Sequence, residues 1–180
     1  MSVKEVLRMG HPFLRKVAQP VKEPLSAEIQ ALIVDLRDTM QARNGAGLAA
    51  PQIGSPWRVV IYGTGSPNPR YPEAPIIRET VLINPVLEPI GSDAQTGWEG
   101  CLSVPGLRGE VTRWQRVDVR AMDQNGNMIQ RQLDGFEARV VQHECDHLDG
   151  VLFPQRLASA AKFGYTEELV NSGLISATPS

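Results

Sequence analysis

Histidine and cysteine are scarce in this chain, which has three of the first and two of the second in 180 residues. Two cysteines are too few for a disulfide-stapled scaffold, and in a reducing compartment they are more often thiols or ligands than a bridge. Charge of one sign is missing too. Eighteen Lys and Arg oppose twenty Asp and Glu, for a net charge of −2, so nothing favours direct nucleic-acid binding. Long apolar runs are absent. Lys4, Glu5 and Arg8 break up the start, MSVKEVLRMGHPFLRK, which therefore does not suit a signal peptide. No segment reaches the roughly 20 residues of a transmembrane helix. No membrane partner and a cytoplasmic location are expected. There is no internal repeat and no composition shift. A single domain over residues 1–180 is expected, its tail from about residue 158 the least defined part, and 42% hydrophobic content is enough for a core.

Several elements can be read from patterning. In PLSAEIQALIVDLRDTMQARNG, Leu25, Ile29, Leu32, Ile33, Leu36 and Met40 recur at helical spacing. Ser26 suits the start of that helix and Asn44-Gly45 its end. GAGLAAPQIG (45–54) holds three glycines and a proline; by composition alone it is a connector, or backbone that approaches something closely. WRVVIYG (57–63) predicts a strand, and the proline-rich TGSPNPRYPEAP a surface loop. VLINPVLEPIG predicts one or two short strands broken at Pro85. VDVRAMD and MIQRQL flank Asn125-Gly126, a hairpin turn dipeptide. Asp134 and Glu137 form a capping-box pattern, predicting a helix to about Asp149 with Gly150 as its stop. A short helix is expected around Thr166–Val170, and ISATPS should be loose.

The chemistry concentrates in QHECDHLDG (142–150), which contains H-E-x-x-H. Residues four apart on a helix share a face, so His143 and His147 can hold one metal ion with Glu144 beside it. At about 100° per residue, Phe136, Val140, His143 and His147 fall on one stripe. Ala138, Val141, Cys145 and Leu148 gather near the opposite side. A helix apolar on both sides is buried, and buried imidazoles need partners. Ordinary hydrogen bonds would serve, but two imidazoles on one stripe beside an acid suit a metal better. Cys145 lies about 180° round the helix from the stripe, so it reads as a small core hydrophobe. A third ligand is needed. Glu167 or Glu168 would give a two-His, one-Glu peptidase site; Cys101 is the other candidate.

GAGLAAPQIG, EGCLSVPG (99–106) and QHECDHLDG, in that order, resemble the three signature motifs of the peptide deformylases. LRMGHPFLRKVAQPV and the helix after it also resemble that family, so the likeness spans about residues 3–157. It implies an α+β fold with antiparallel strands packed around a central helix that carries H-E-x-x-H. It also implies a metal held by Cys101, His143 and His147, with Glu144 as catalytic acid/base. Gln52 and the backbone N–H of Leu102 would stabilise the transition state. Ferrous iron is the metal implied, with zinc, nickel or cobalt able to replace it. The substrate implied is an N-formyl-methionyl nascent peptide, hydrolysed to formate and a free amine, with transient ribosome contact as a further partner. Ala46, Gly47, Gly100, Phe136 and Val140 would line the methionine pocket together with Leu102. Glu99 is expected to orient its loop or a ligand, and His11 to be a loop residue. Trp98, Trp114 and Arg108 receive no role. Two rivals stand: the two-His, one-Glu metallopeptidase, and a non-catalytic protein that binds modified N-termini.

Overall fold

The computed structural model describes residues 3–176. Three helices and eight strands follow one another in the order α1 (Ala27–Ala42), β1 (Gly47–Ala49), β2 (Val59–Tyr62), β3 (Thr80–Pro89), β4 (Ala94–Cys101), β5 (Val104–Trp114), β6 (Arg116–Met122), β7 (Met128–Asp134), α2 (Gly135–Leu148), β8 (Phe163–Tyr165) and α3 (Thr166–Asn171). Five strands form one antiparallel sheet in the order β1-β2-β3-β6-β7; three form a second, β4-β5-β8. This is the α+β architecture with antiparallel strands around an H-E-x-x-H helix.

Strand β2 shows how the layers form. Successive side chains point to opposite faces, and all four residues of VVIY are buried. Val60 and Tyr62 pack with Ala138, Val140 and Val141 of α2. Val59 and Ile61 pack with Ile29, Leu32, Ile33 and Leu36 of α1. The larger sheet is thus covered by α1 on one face and α2 on the other. Ten of the fourteen α2 residues are buried, from Ala138 to Leu148 with Gln142 excepted, so α2 is the central helix.

Several expectations need correction. Leu25 lies ahead of α1 and is 66% exposed, although Ser26 does cap the helix through Ile29 N–H and Asn44 leaves it at φ 52°. The segment around Pro85 is one strand, β3, with a register shift between Ile83 and Val86. A bulge accommodates the proline, which has no N–H for the ladder. The Asn125-Gly126 connection is wider than a two-residue turn: Met122 pairs Met128, and the Asp123 carboxylate accepts from the N–H groups of Asn125 and Asn127. The capping box does not form. Asp134 makes no side-chain cap, and Glu137 instead accepts from Tyr62 Oη and pairs with Arg131. The expected short helix is α3, and of ISATPS only Ile175 and Ser176 fall among the described residues.

Candidate active site

Three separate pieces of chain build the site. The first is α2, whose spacing sets His143 and His147 one turn apart with ring centroids 5.1 Å from each other. The second is the β4–β5 hairpin. Cys101 ends β4 and pairs Val104, so Leu102 and Ser103 form a tight turn beside α2. The third is the helical turn Ala50–Ile53 after β1, which carries Gln52. The N-terminal segment straps the last two together, Leu7 N–H on Gln52 O and Met9 N–H on Ser103 O.

One ligating atom from each of Cys101, His143 and His147 lies within 4.8 Å of the others, and all three residues are buried. Cys101 Sγ is 3.4 Å from His147 Nε2. Burial pushes the Cys101 thiol up, but the charge of His147 and hydrogen bonds from both imidazoles outweigh it and hold the pKa well below the usual thiol range. His143 Nδ1 is 2.8 Å from Glu99 Oε2. Burial pushes Glu99 up as well, yet its bonds with His143 and Arg113 prevail and keep it ionised. That carboxylate accepts a hydrogen bond from Nδ1–H, which orients the ring and leaves Nε2 as the nitrogen turned to a ligand. A thiolate and two imidazoles in a compact buried triangle fit a transition metal.

Glu144 is buried beside this triangle. Its Oε2, like Nδ1 of His147, has no hydrogen-bond partner among the described residues. Burial raises its pKa from 4.5 to about 7. Gln52 has two occupations. Its Oε1 accepts from Ala49 N–H at 2.8 Å, and its Nε2 is 3.1 Å from Ser103 Oγ and 3.5 Å from Cys101 Sγ. One end ties the loop; the other faces the site.

A cleft opens onto these groups. Its lining contains Ala46, Gly47, Gln52, Gly100, Cys101, Leu102, Phe136, Val140, His143 and Glu144. His147 is not on the lining; it is 2% exposed and lies behind it. Glu167 and Glu168 are exposed on α3 and are not part of the Cys–His–His cluster. Cys145 is buried away from the cleft, and burial raises its thiol pKa far above the usual range. His11 starts a 3-10 turn at Pro12, accepting from Phe13 N–H through Nδ1.

Sequence reasoning missed Arg70, Tyr71 and Arg139, all on the cleft lining. The Tyr71 ring packs tilted against Phe136 with centroids 5.1 Å apart, and its hydroxyl accepts from Gly100 N–H at 3.1 Å. Arg108, given no role, lies over the Tyr71 ring. The only signal for Arg70 and Tyr71 was their adjacency inside a loop that otherwise reads as proline-rich surface.

Fold and site together define a hydrolase with a candidate metal centre on its H-E-x-x-H helix. A family model described as polypeptide deformylase matches residues 3–163. The chain belongs to the polypeptide deformylase family. It is 62% identical over 175 residues to peptide deformylase 1 of Prochlorococcus marinus, covering 97% of this chain and 91% of that one. Peptide deformylase 2 of Ralstonia nicotianae is 53% identical over 167 residues, covering 93% and 94%. Among solved structures, a Met-Ala-Ser-bound class I type b peptide deformylase from Acinetobacter baumannii matches with a TM-score of 0.83 at 42% identity, over 87% of this chain and 100% of that one. An actinonin complex from Synechococcus elongatus matches at 0.78 and 32% identity, over 97% and 87%. Among the described residues no helix is long and apolar enough to cross a membrane.

Proposed function

We propose that this enzyme removes the formyl group from N-formyl-methionyl nascent peptides in the cytoplasm, releasing formate. The observation that carries this reading is the convergence of a buried Cys–His–His cluster, an unpartnered carboxylate oxygen and a directed amide on one cleft. Cys101, His143 and His147 would hold one divalent ion, natively Fe2+, with Zn2+, Ni2+ or Co2+ able to replace it. When bound, the ion lowers the pKa of water and polarises the formyl carbonyl. Two neutral imidazoles and a thiolate leave such a site with a single net positive charge, so help with the proton is needed.

Glu144 supplies that help. Buried in the cleft wall with an unpartnered carboxylate oxygen, it takes a proton from the attacking water and returns it to the amine as the C–N bond breaks. Without that proton the leaving group would be an amide anion. Gln52 Nε2 and the N–H of Leu102 donate to the oxyanion that forms on the formyl oxygen. Phe136, Val140, Leu102 and Ala46 offer the methionine side chain apolar walls, and Gly47 and Gly100 let backbone come close. The Met-Ala-Ser complex of the relative supports a methionyl peptide as ligand. Nascent chains carry the substrate, so a passing contact with the ribosome belongs to the same reading.

Formate release from a formyl-Met dipeptide tests it, measured before and after the metal is stripped with a chelator and restored. Turnover that survives complete removal of metal would refute the metal-dependent mechanism. A two-His, one-Glu peptidase would instead cleave an internal peptide bond, and a binding protein would release no formate.

A further inference from the structure

The Glu99 carboxylate is held by two arginines. Arg113 makes a two-point clamp, Nε to Oε1 and Nη2 to Oε2, each 2.9 Å, and reaches Asp146 Oδ2 with Nη1 at 2.5 Å. Arg139 adds Nη1 to Oε1 at 2.9 Å. It also binds three backbone carbonyls, Val111 O at 2.9 Å, Gly97 O at 3.4 Å and Gln95 O at 2.6 Å. A single guanidinium therefore joins β4, β5 and α2, one helical turn before His143. Gly97 makes room for it, since a Cβ there would sit 3.2 Å from the guanidinium carbon.

Arg139 is 7% exposed, and burying a guanidinium is costly unless its donors are used. An apolar side chain of similar volume could fill the space at less cost. What it could not do is fix β4 against α2. Cys101 stands at the end of β4 and His143 on α2, so the separation of the two ligating groups depends on that junction. The same carboxylate that Arg139 holds by Oε1 receives His143 Nδ1 on Oε2.

We propose that Arg139 is a positioning residue for the metal centre. It sets the spacing of Cys101 and His143 across two elements and steadies the Glu99 carboxylate that orients the His143 ring. This rests on the reading of Cys101, His143 and His147 as metal ligands. The reaction steps above make no use of Arg139, and its part is played through Glu99 and the backbone.

Arg139→Lys and Arg139→Met test the role. Lys keeps charge and most of the volume but cannot fork to four acceptors, and it serves if the Met variant does not fold. Chelator-stripped protein is titrated with Co2+, following affinity by chelator competition and the thiolate-to-cobalt absorption band. Both readouts are independent of turnover. Loss of a group that orients a ligand typically weakens metal binding about 10–100-fold, and that loss with an altered band is expected. Ile33→Ala, in the α1 layer on the far face of the sheet, gives a destabilised comparison that keeps wild-type affinity and band. Wild-type cobalt affinity and spectrum in folded Arg139→Lys would overturn the proposal and leave a strut of the fold. A wild-type protein that took up no cobalt would sink the ligand reading itself, and the positioning role with it.

Discussion

A Cβ placed on Gly47 would lie 2.5 Å from Oε1 of Glu144. The two residues are 97 positions apart in the chain, and their contact couples the glycine-rich loop to the proposed acid/base. Backbone at β1 can pass this close only without a side chain. Gly47→Ala should therefore displace the carboxylate while leaving the metal ligands in place. A fall in kcat of about 10²–10⁴-fold, the range for a lost general base, is expected with full metal content. Turnover near that of the parent would show that the carboxylate does not act from this position.

The two cysteines should separate cleanly. Cys101→Ala should lose metal and activity, because its thiolate is one corner of the buried triangle. Cys145→Ala should keep both at a cost of about 1 kcal/mol of stability, the usual scale for trimming a packed site. Metal analysis of the two purified variants decides it; metal retained at parental level without Cys101 would remove it from the ligand set.

Glu144→Gln should retain metal and lose turnover by about 10²–10⁴-fold, and its stability carries a pH signature. In the metal-free protein, burial raises the Glu144 pKa from 4.5 to about 7. Between those values the folded state holds a proton that the unfolded state has released, so this group's contribution falls as pH rises. The loss is on the order of 3 kcal/mol, complete above pH 7 and absent below pH 4.5. Glutamine has no such term. Denaturant melts of stripped protein at pH 5 and pH 8 should therefore show the variant gaining on the parent at the higher pH. Parallel pH profiles for the two proteins would contradict this assignment.

Gln52→Ala should lower kcat by roughly 10²–10³-fold, the effect of removing one oxyanion donor, with a smaller change in KM. Because Oε1 also ties Ala49 N–H, the melting temperature should drop too. Steady-state kinetics on a formyl-Met dipeptide, read beside a melting curve, resolve the two parts. Lower stability with unchanged kcat would make Gln52 a loop brace only.

What the chain made legible by itself was local. Helical spacing brings His143, Glu144 and His147 together whatever surrounds them, and the same periodicity turns Cys145 away from the stripe. The apolar repeat of α1 and the alternation in β2 report their buried faces, because burial is the force that selects both patterns. Cys101 is different: between a glycine and a short apolar run it reads as packing, and only the ordered resemblance of three motifs singled it out. Structure then decided whatever depends on partners far along the chain. The β4–β5 hairpin escaped reading because Gly97, Gly100, Gly106 and Gly109 are poor strand residues, and at Gly97 the missing side chain is what admits Arg139. Asp134 ends β7 in register with Arg116 and its side chain makes no cap bond, while Glu137 found Tyr62 and Arg131 instead. Arg70 and Tyr71 reach the cleft by the folding back of a long loop. Local periodicity carries no record of such approaches, since they are fixed by packing between segments far apart in the chain, 29 positions for Tyr71 and Gly100 and 49 for Gln52 and Cys101.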